Sequence, residues 1–257
     1  MRRWVLALFA LSIAGLAGFW FLTAPQPVIA RADTSLETGG DAQRCKIVFL
    51  AGGCASCHVT SGQENTLLLG GGHAFPSPFG TFYAPNISPD PENGIGKWTT
   101  ADLVNALKAG VSPKGSHYYP AFPYTTYAKM TNTDARDLMS YLKTLPPVAI
   151  ASRPHDLPFP FNIRRGLGLW KRLYLDRAPI AADPAKSPGW NRGQYLVEAL
   201  GHCAECHSPR NFIGGIVASQ RFAGGPNPDG KGWVPNMTQS KKGIGEWSTS
   251  DIALMLE

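Results

Sequence analysis

The chain has 257 residues, 44% of them hydrophobic and 16% charged, with a formal net charge of +6. Arg2, Arg3 and Arg31 precede Asp33 and no acidic residue does, so the rest of the chain carries 21 basic against 18 acidic residues, or +3. That mild excess, with no arginine-rich stripe, excludes a nucleic-acid-binding protein. The 22 prolines and 28 glycines predict long turn-rich connections and little regular strand.

Arg2 and Arg3 open the chain, followed by an uncharged apolar run from Trp4 to Ala24, about the 20 residues that cross a bilayer as a helix. A cleaved secretory signal has a shorter apolar region, of about 7–15 residues, so the length predicts a retained anchor with its basic end in the cytoplasm. Ala30-Arg31-Ala32 also reads as an A-x-A cleavage site, which keeps the alternative of a signal removed after Ala32. Either way residues 1–32 form an export segment.

A helical pattern through "DAQRCKIVFLAGG" leads into Cys54, Cys57 and His58. On a helical turn, residues i and i+3 share a face and i+4 lies beside them. Two thiols and an imidazole so spaced read as c-type haem attachment, with both thiols bonded to the porphyrin and the histidine on the iron. A thioredoxin-like pair needs no following histidine, a zinc ribbon leaves the histidines unexplained, and structural disulfides are the remaining alternative. Cys45, nine residues upstream, reads as a buried small hydrophobe.

Farther on, Thr99 or Thr100 caps a helix with Asp102 in its first turn, and Gly110 ends it. Thr131 or Thr133 caps another, stopped by Pro146-Pro147, with Leu138, Tyr141, Leu142 and Leu145 on its apolar face. The stretch "LPFPFNIRRGLGLWKRLYLD" alternates Arg164, Arg165, Lys171 and Arg172 with Leu167, Leu169, Trp170 and Leu173. It reads as a short linker helix packed across two domains, or as a basic amphipathic surface for a membrane or acidic partner.

Cys203, Cys206 and His207 then repeat the first motif at an offset of 149, and Gly94-Ile95-Gly96 with Trp98 returns as Gly243-Ile244-Gly245 with Trp247. This is a tandem duplication, one haem to each copy. The expected fold is mainly α, with two tandem class I cytochrome c-like domains at 39–148 and 190–257 joined by a proline-rich linker at 149–189. By the offset, Leu256 matches Leu107, so the second domain is expected to be incomplete at its C-terminus. The paired loops "APNISPD" and "VPNMTQS", with Trp98 and Trp247, are expected to wall the haem edges, although core packing alone would also explain both tryptophans.

Several stretches, "AGGCASCH", "SPFGTFYAPNISPDPENGIGKWT", "HYYPAFPYTTYAKMTNTDARDLMSYLKTLPPV", "LPFPFNIR" and "RGQYLVEALGHCAECHSPRN", resemble the multihaem cytochrome c subunits of membrane-bound alcohol, aldehyde and gluconate dehydrogenases and the shorter dihaem cytochromes related to them. The resemblance spans about residues 39–257. It implies two covalent haem c groups, a third being possible in a longer chain. It also implies electron transfer from a dehydrogenase subunit to a quinone or terminal oxidase, on the periplasmic side of a Gram-negative cytoplasmic membrane. In three-haem relatives the segment matching "PAFPY" commonly reads "PAMPY", which would place a ligand at Phe122; here that residue cannot coordinate.

For the sixth position of the first haem the sequence offers Met130, Met139, His73 and His117. Met139 falls inside the last helix and reads as core, whereas Met130 sits in the loop before the helix cap, where a small cytochrome c presents its methionine. Neither Met237 nor Met255 serves the second haem. Met130, with His58 and His207, completes the expected iron ligands. The competing functions are a dihaem enzyme of peroxidase or thiosulfate-oxidising type with an open iron, and a haem sensor, for which no output domain is seen.

Overall fold

The computed structural model describes residues 2–227 and 231–256. Helix α1 (Arg2–Leu22) has no buried residue. The chain then runs through α2 (Ala42–Ala51) into the short α3 (Cys54–His58), the antiparallel hairpin of β1 (Ala74–Ser77) and β2 (Gly80–Tyr83), α4 (Thr100–Ala109), the single turn α5 (Tyr124–Tyr127) and α6 (Asn132–Leu142). Mostly helical structure with two short hairpins matches the expected class.

Local chemistry sets these boundaries. Thr99 accepts from the Asp102 amide while Asp102 accepts from the Thr99 amide, a reciprocal cap at the start of α4, and Gly110 ends the helix at φ 58°. Thr131 caps α6 by accepting from the Asp134 amide. Between α2 and α6, the fully buried Asp137 accepts from Arg44 and Arg136. Burial alone would raise its pKa, but the two guanidinium groups outweigh that and hold the carboxyl below its usual range.

Packed around this crossing are Val48, Phe49, Leu69, Leu103, Leu107, Leu138, Leu142 and Leu145. Cys45 is fully buried, the role its sequence context predicts.

A 3-10 turn at Arg164–Gly166 leads into α7 (Leu167–Tyr174). Its Lys171 ammonium donates to the Ala109 and Gly110 carbonyls at the end of α4, and its Trp170 indole donates to the Ile213 carbonyl. The expected linker helix therefore does touch both halves of the chain.

Helix α8 (Pro188–Tyr195), capped by Ser187, continues as a π turn at Leu196–Leu200 and is followed by α9 (Cys203–His207), the minimal hairpin of β3 (Gly225–Pro226) and β4 (Trp233–Val234), and α10 (Thr249–Leu256). These elements run in the same order as α2 to α4. Leu200, fully buried, belongs to the same core as α2 and α6.

Candidate functional site

Cys54, Cys57 and His58 lie on α3, and Cys203, Cys206 and His207 on α9, as their spacing predicts. Among the described residues no disulfide joins these cysteines, and the four thiols do not converge on one metal position. Burial pushes the Cys54 thiol up to about 12 and raises that of Cys203, which disfavours the thiolate form that metal and exchange chemistry use.

Each histidine is fixed by one bond. The Nδ1 of His58 lies 2.7 Å from the Pro85 carbonyl oxygen, and that of His207 lies 2.8 Å from the Pro235 carbonyl oxygen. A carbonyl only accepts, so the proton resides on Nδ1 and the lone pair on Nε2. Burial lowers the His58 pKa against the opposing pull of Pro85, which favours the neutral ring that a metal needs.

The surrounding turns also correspond. The Gly71 amide donates to the His58 carbonyl and the Gly224 amide to that of His207. A Cβ at Gly94 would stand 2.1 Å from the Ser88 carbonyl oxygen, and one at Gly243 would stand 2.2 Å from that of Thr238, so each loop closes only around glycine.

Met130 is buried in the core cluster, in the loop between α5 and α6. Its backbone is pinned by its own amide to the Tyr127 carbonyl and by the Lys108 ammonium, which donates to the Met130 carbonyl at 2.7 Å. Met139 is equally buried, on α6, as core packing predicts. The two histidine candidates lie elsewhere. His73 is exposed, its ring against Phe75, and His117 has Nε2 2.8 Å from the Thr23 carbonyl oxygen at the end of α1. Met237 is half-buried, whereas Met255 is exposed on α10.

Three contacts at the motifs are not legible in the sequence. Pro85 and Pro235 carry the histidine-fixing carbonyls, and their signal was the duplicated Pro-Asn in "APN" and "VPN". His202 precedes α9 in the left-handed region at φ 39°, where Gly53 precedes α3 at φ 61°. Its ring approaches Gly53 and packs edge-on against Tyr127, whose hydroxyl donates to the Gly52 carbonyl. The turns that lead into the two Cys-x-x-Cys-His motifs are thus neighbours, and no sequence periodicity signals that contact.

Paired thiols followed by an imidazole with its Nε2 free suit covalent haem, and a helical fold with this site defines a c-type cytochrome. A family model described as cytochrome c matches residues 42–146. The chain is 50% identical to a diheme cytochrome c-type protein of Cereibacter sphaeroides, over 98% of this chain and 84% of the relative. It is 40% identical to part of a nicotinate dehydrogenase polypeptide of Pseudomonas putida, of which it covers 17%, with 82% of this chain aligned. It is 39% identical to the cytochrome subunit of a fructose dehydrogenase of Gluconobacter japonicus, of which it covers 46%, with 86% of this chain aligned. The chain belongs to the cytochrome c family, in the group that includes the diheme cytochromes and the cytochrome subunits of dehydrogenases. It is an electron-transfer protein with covalent haem c.

Proposed function

We propose that this cytochrome passes single electrons through two haems, one on Cys54, Cys57 and His58 and the other on Cys203, Cys206 and His207. In this reading the chain is two tandem cytochrome c-like domains. It takes electrons from a dehydrogenase partner and delivers them to a quinone or terminal oxidase on the periplasmic side of the membrane. The observation that carries this is the matched pair of histidine–proline bonds, one at each motif. Haem supplies one-electron chemistry at iron. The chain's own part is to fix each imidazole tautomer through Pro85 or Pro235, to present the paired thiols of each motif for attachment, and to hold the buried Met130, which would serve as sixth ligand of the first haem. A first iron closed by Met130 would favour a carrier over an enzyme.

Mass spectrometry of protein made with an active cytochrome c maturation system should give the polypeptide plus two haems. Cys45→Ser should leave that count at two, while Cys203→Ser with Cys206→Ser should reduce it to one. A wild-type mass with one haem or none sinks the reading.

Support for a retained anchor comes from the segment after α1. Asn105, itself buried, accepts from the Val28 and Ile29 amides and donates to the Ile29 carbonyl, and Arg31 pairs with the buried Asp102 at 3.0 Å. Cleavage after Ala32 would strip these partners from buried groups, at about 1–3 kcal/mol for each one left unsatisfied. The mature protein should therefore keep residues 2–32, and a mature N-terminus at Asp33 by mass would refute it. Asn105→Ala should lower unfolding stability by roughly 1–3 kcal/mol in denaturant titration.

A further inference from the structure

The end of α1 is held in an unusual way. A helix leaves its last four carbonyls without helical partners, and here each of them is met. The Thr23 amide and hydroxyl both donate to Phe19, Arg165 to Trp20, the Ala24 amide to Phe21, and Arg172 to Leu22 at 2.9 Å. Two of the four partners come from α7 and the turn before it. Arg165 also lies over the Trp20 ring at 4.0 Å, and Gly168 abuts the Thr23 backbone so closely that a Cβ there would stand 2.5 Å from the Thr23 Cα.

This contact leaves α7 with two faces. Gly168 is buried against the Thr23 backbone, and Lys171 against the end of α4. Arg165, Leu169, Arg172 and Leu173, at i, i+4, i+7 and i+8, line the side of α7 away from Lys171, on which Leu169 and Leu173 are exposed. Phe159 and Ile163 are exposed in the turn just before it. Apolar and basic groups thus adjoin the end of a helix whose own apolar residues are unburied, so one continuous surface runs from α1 onto α7.

We infer that this face of α7, with Phe159 and Ile163, lies in the headgroup layer of an anionic bilayer and sets the orientation of the haem-bearing part on the membrane. The inference rests on α1 being a retained anchor. With 21 residues, α1 is about 31 Å long, which matches the roughly 30 Å hydrocarbon core. If Arg2 and Arg3 stand at one interface, Leu22 stands at the other, and Arg165 and Arg172, bonded to its last turn, lie at headgroup depth. Guanidinium groups there pair with phosphates while Leu169, Leu173 and Phe159 reach the acyl boundary, the pattern of an interfacial helix.

The test uses full-length holoprotein in liposomes of phosphatidylcholine, with and without phosphatidylglycerol. Leu169→Cys, Leu173→Cys and, as a control in the second half, the exposed Phe212→Cys are labelled with a membrane-impermeant maleimide. Cys45 is fully buried and gives little background. Labelling at positions 169 and 173 should be slower than at 212 by about tenfold or more, and slower still with phosphatidylglycerol. Equal rates at all three positions, in protein that floats with the liposomes after alkaline carbonate treatment, overturn the inference and leave the anchor standing. Protein that fails to float overturns both. An unchanged haem spectrum shows that each variant has folded.

Discussion

Replacing Met130 by alanine is expected to lower the midpoint potential of the first haem by on the order of a hundred millivolts, a fraction of the roughly 0.8 V that axial ligands span. It should also abolish the methionine–iron charge-transfer band. Removing a buried methionine has a second cost, about 2–5 kcal/mol for the cavity left behind, so lost stability alone does not identify a ligand. Met139 separates the two effects. It is as buried as Met130 and lies in the same core, but on α6. Met139→Ala should therefore lose comparable stability while keeping the band and most of the potential. The measurement is redox titration with absorption spectroscopy in a Cys203→Ser, Cys206→Ser background, where only the first haem absorbs. A band that survives Met130→Ala and vanishes in Met139→Ala would exchange their roles.

The elements that depend on local chemistry were legible from sequence. Thr99 with Asp102, Gly110 and Thr131 act within one turn of themselves, and the structure shows them capping as read. Cys54, Cys57 and His58 are likewise a one-turn constellation. What could not be read were contacts between residues far apart in the chain, where periodicity carries no information. His202 against Gly53 joins positions 149 residues apart, and Arg172 against Leu22 joins positions 150 apart. His117 shows the same limit from the other side. As a residue type it qualified as a ligand, but tertiary packing gives its Nε2 to the Thr23 carbonyl. The stretch around α7 admitted two readings, of which the packed linker describes what the structure shows: Lys171 and Trp170 span the two halves.

Acid should destabilise the protein well above the range in which carboxylates titrate, and His155 is one residue responsible for that loss. The segment carrying it extends the β1–β2 hairpin, because Asp156 exchanges backbone hydrogen bonds with Thr81. This places the His155 ring against Phe82 and Tyr119, with its Nδ1 accepting from the Tyr83 amide at 3.1 Å. Protonating that nitrogen would set a donor against a donor. Burial, and then the nearby Arg164 charge, push the His155 pKa down to about 4. Unfolded, the same ring titrates near 6.5. Between these values the unfolded chain binds the extra proton, so stability rises with pH from about 4 to 6.5 and is flat with respect to this group outside that window. Two pH units within it correspond to roughly 2–3 kcal/mol. Asp137 has its depressed carboxyl window lower, its contribution being present above about 3.9 and lost below that. His155→Asn keeps an acceptor for Tyr83 but removes the titration. Denaturant unfolding at pH 7 and pH 4.5 should show the gap between the two conditions shrinking by about 2 kcal/mol in this variant. A remainder is expected from His117 and His202, which burial lowers in the same direction. A gap unchanged by the substitution would show that His155 already takes its proton in the folded protein, and that the Tyr83 bond does not hold the ring neutral.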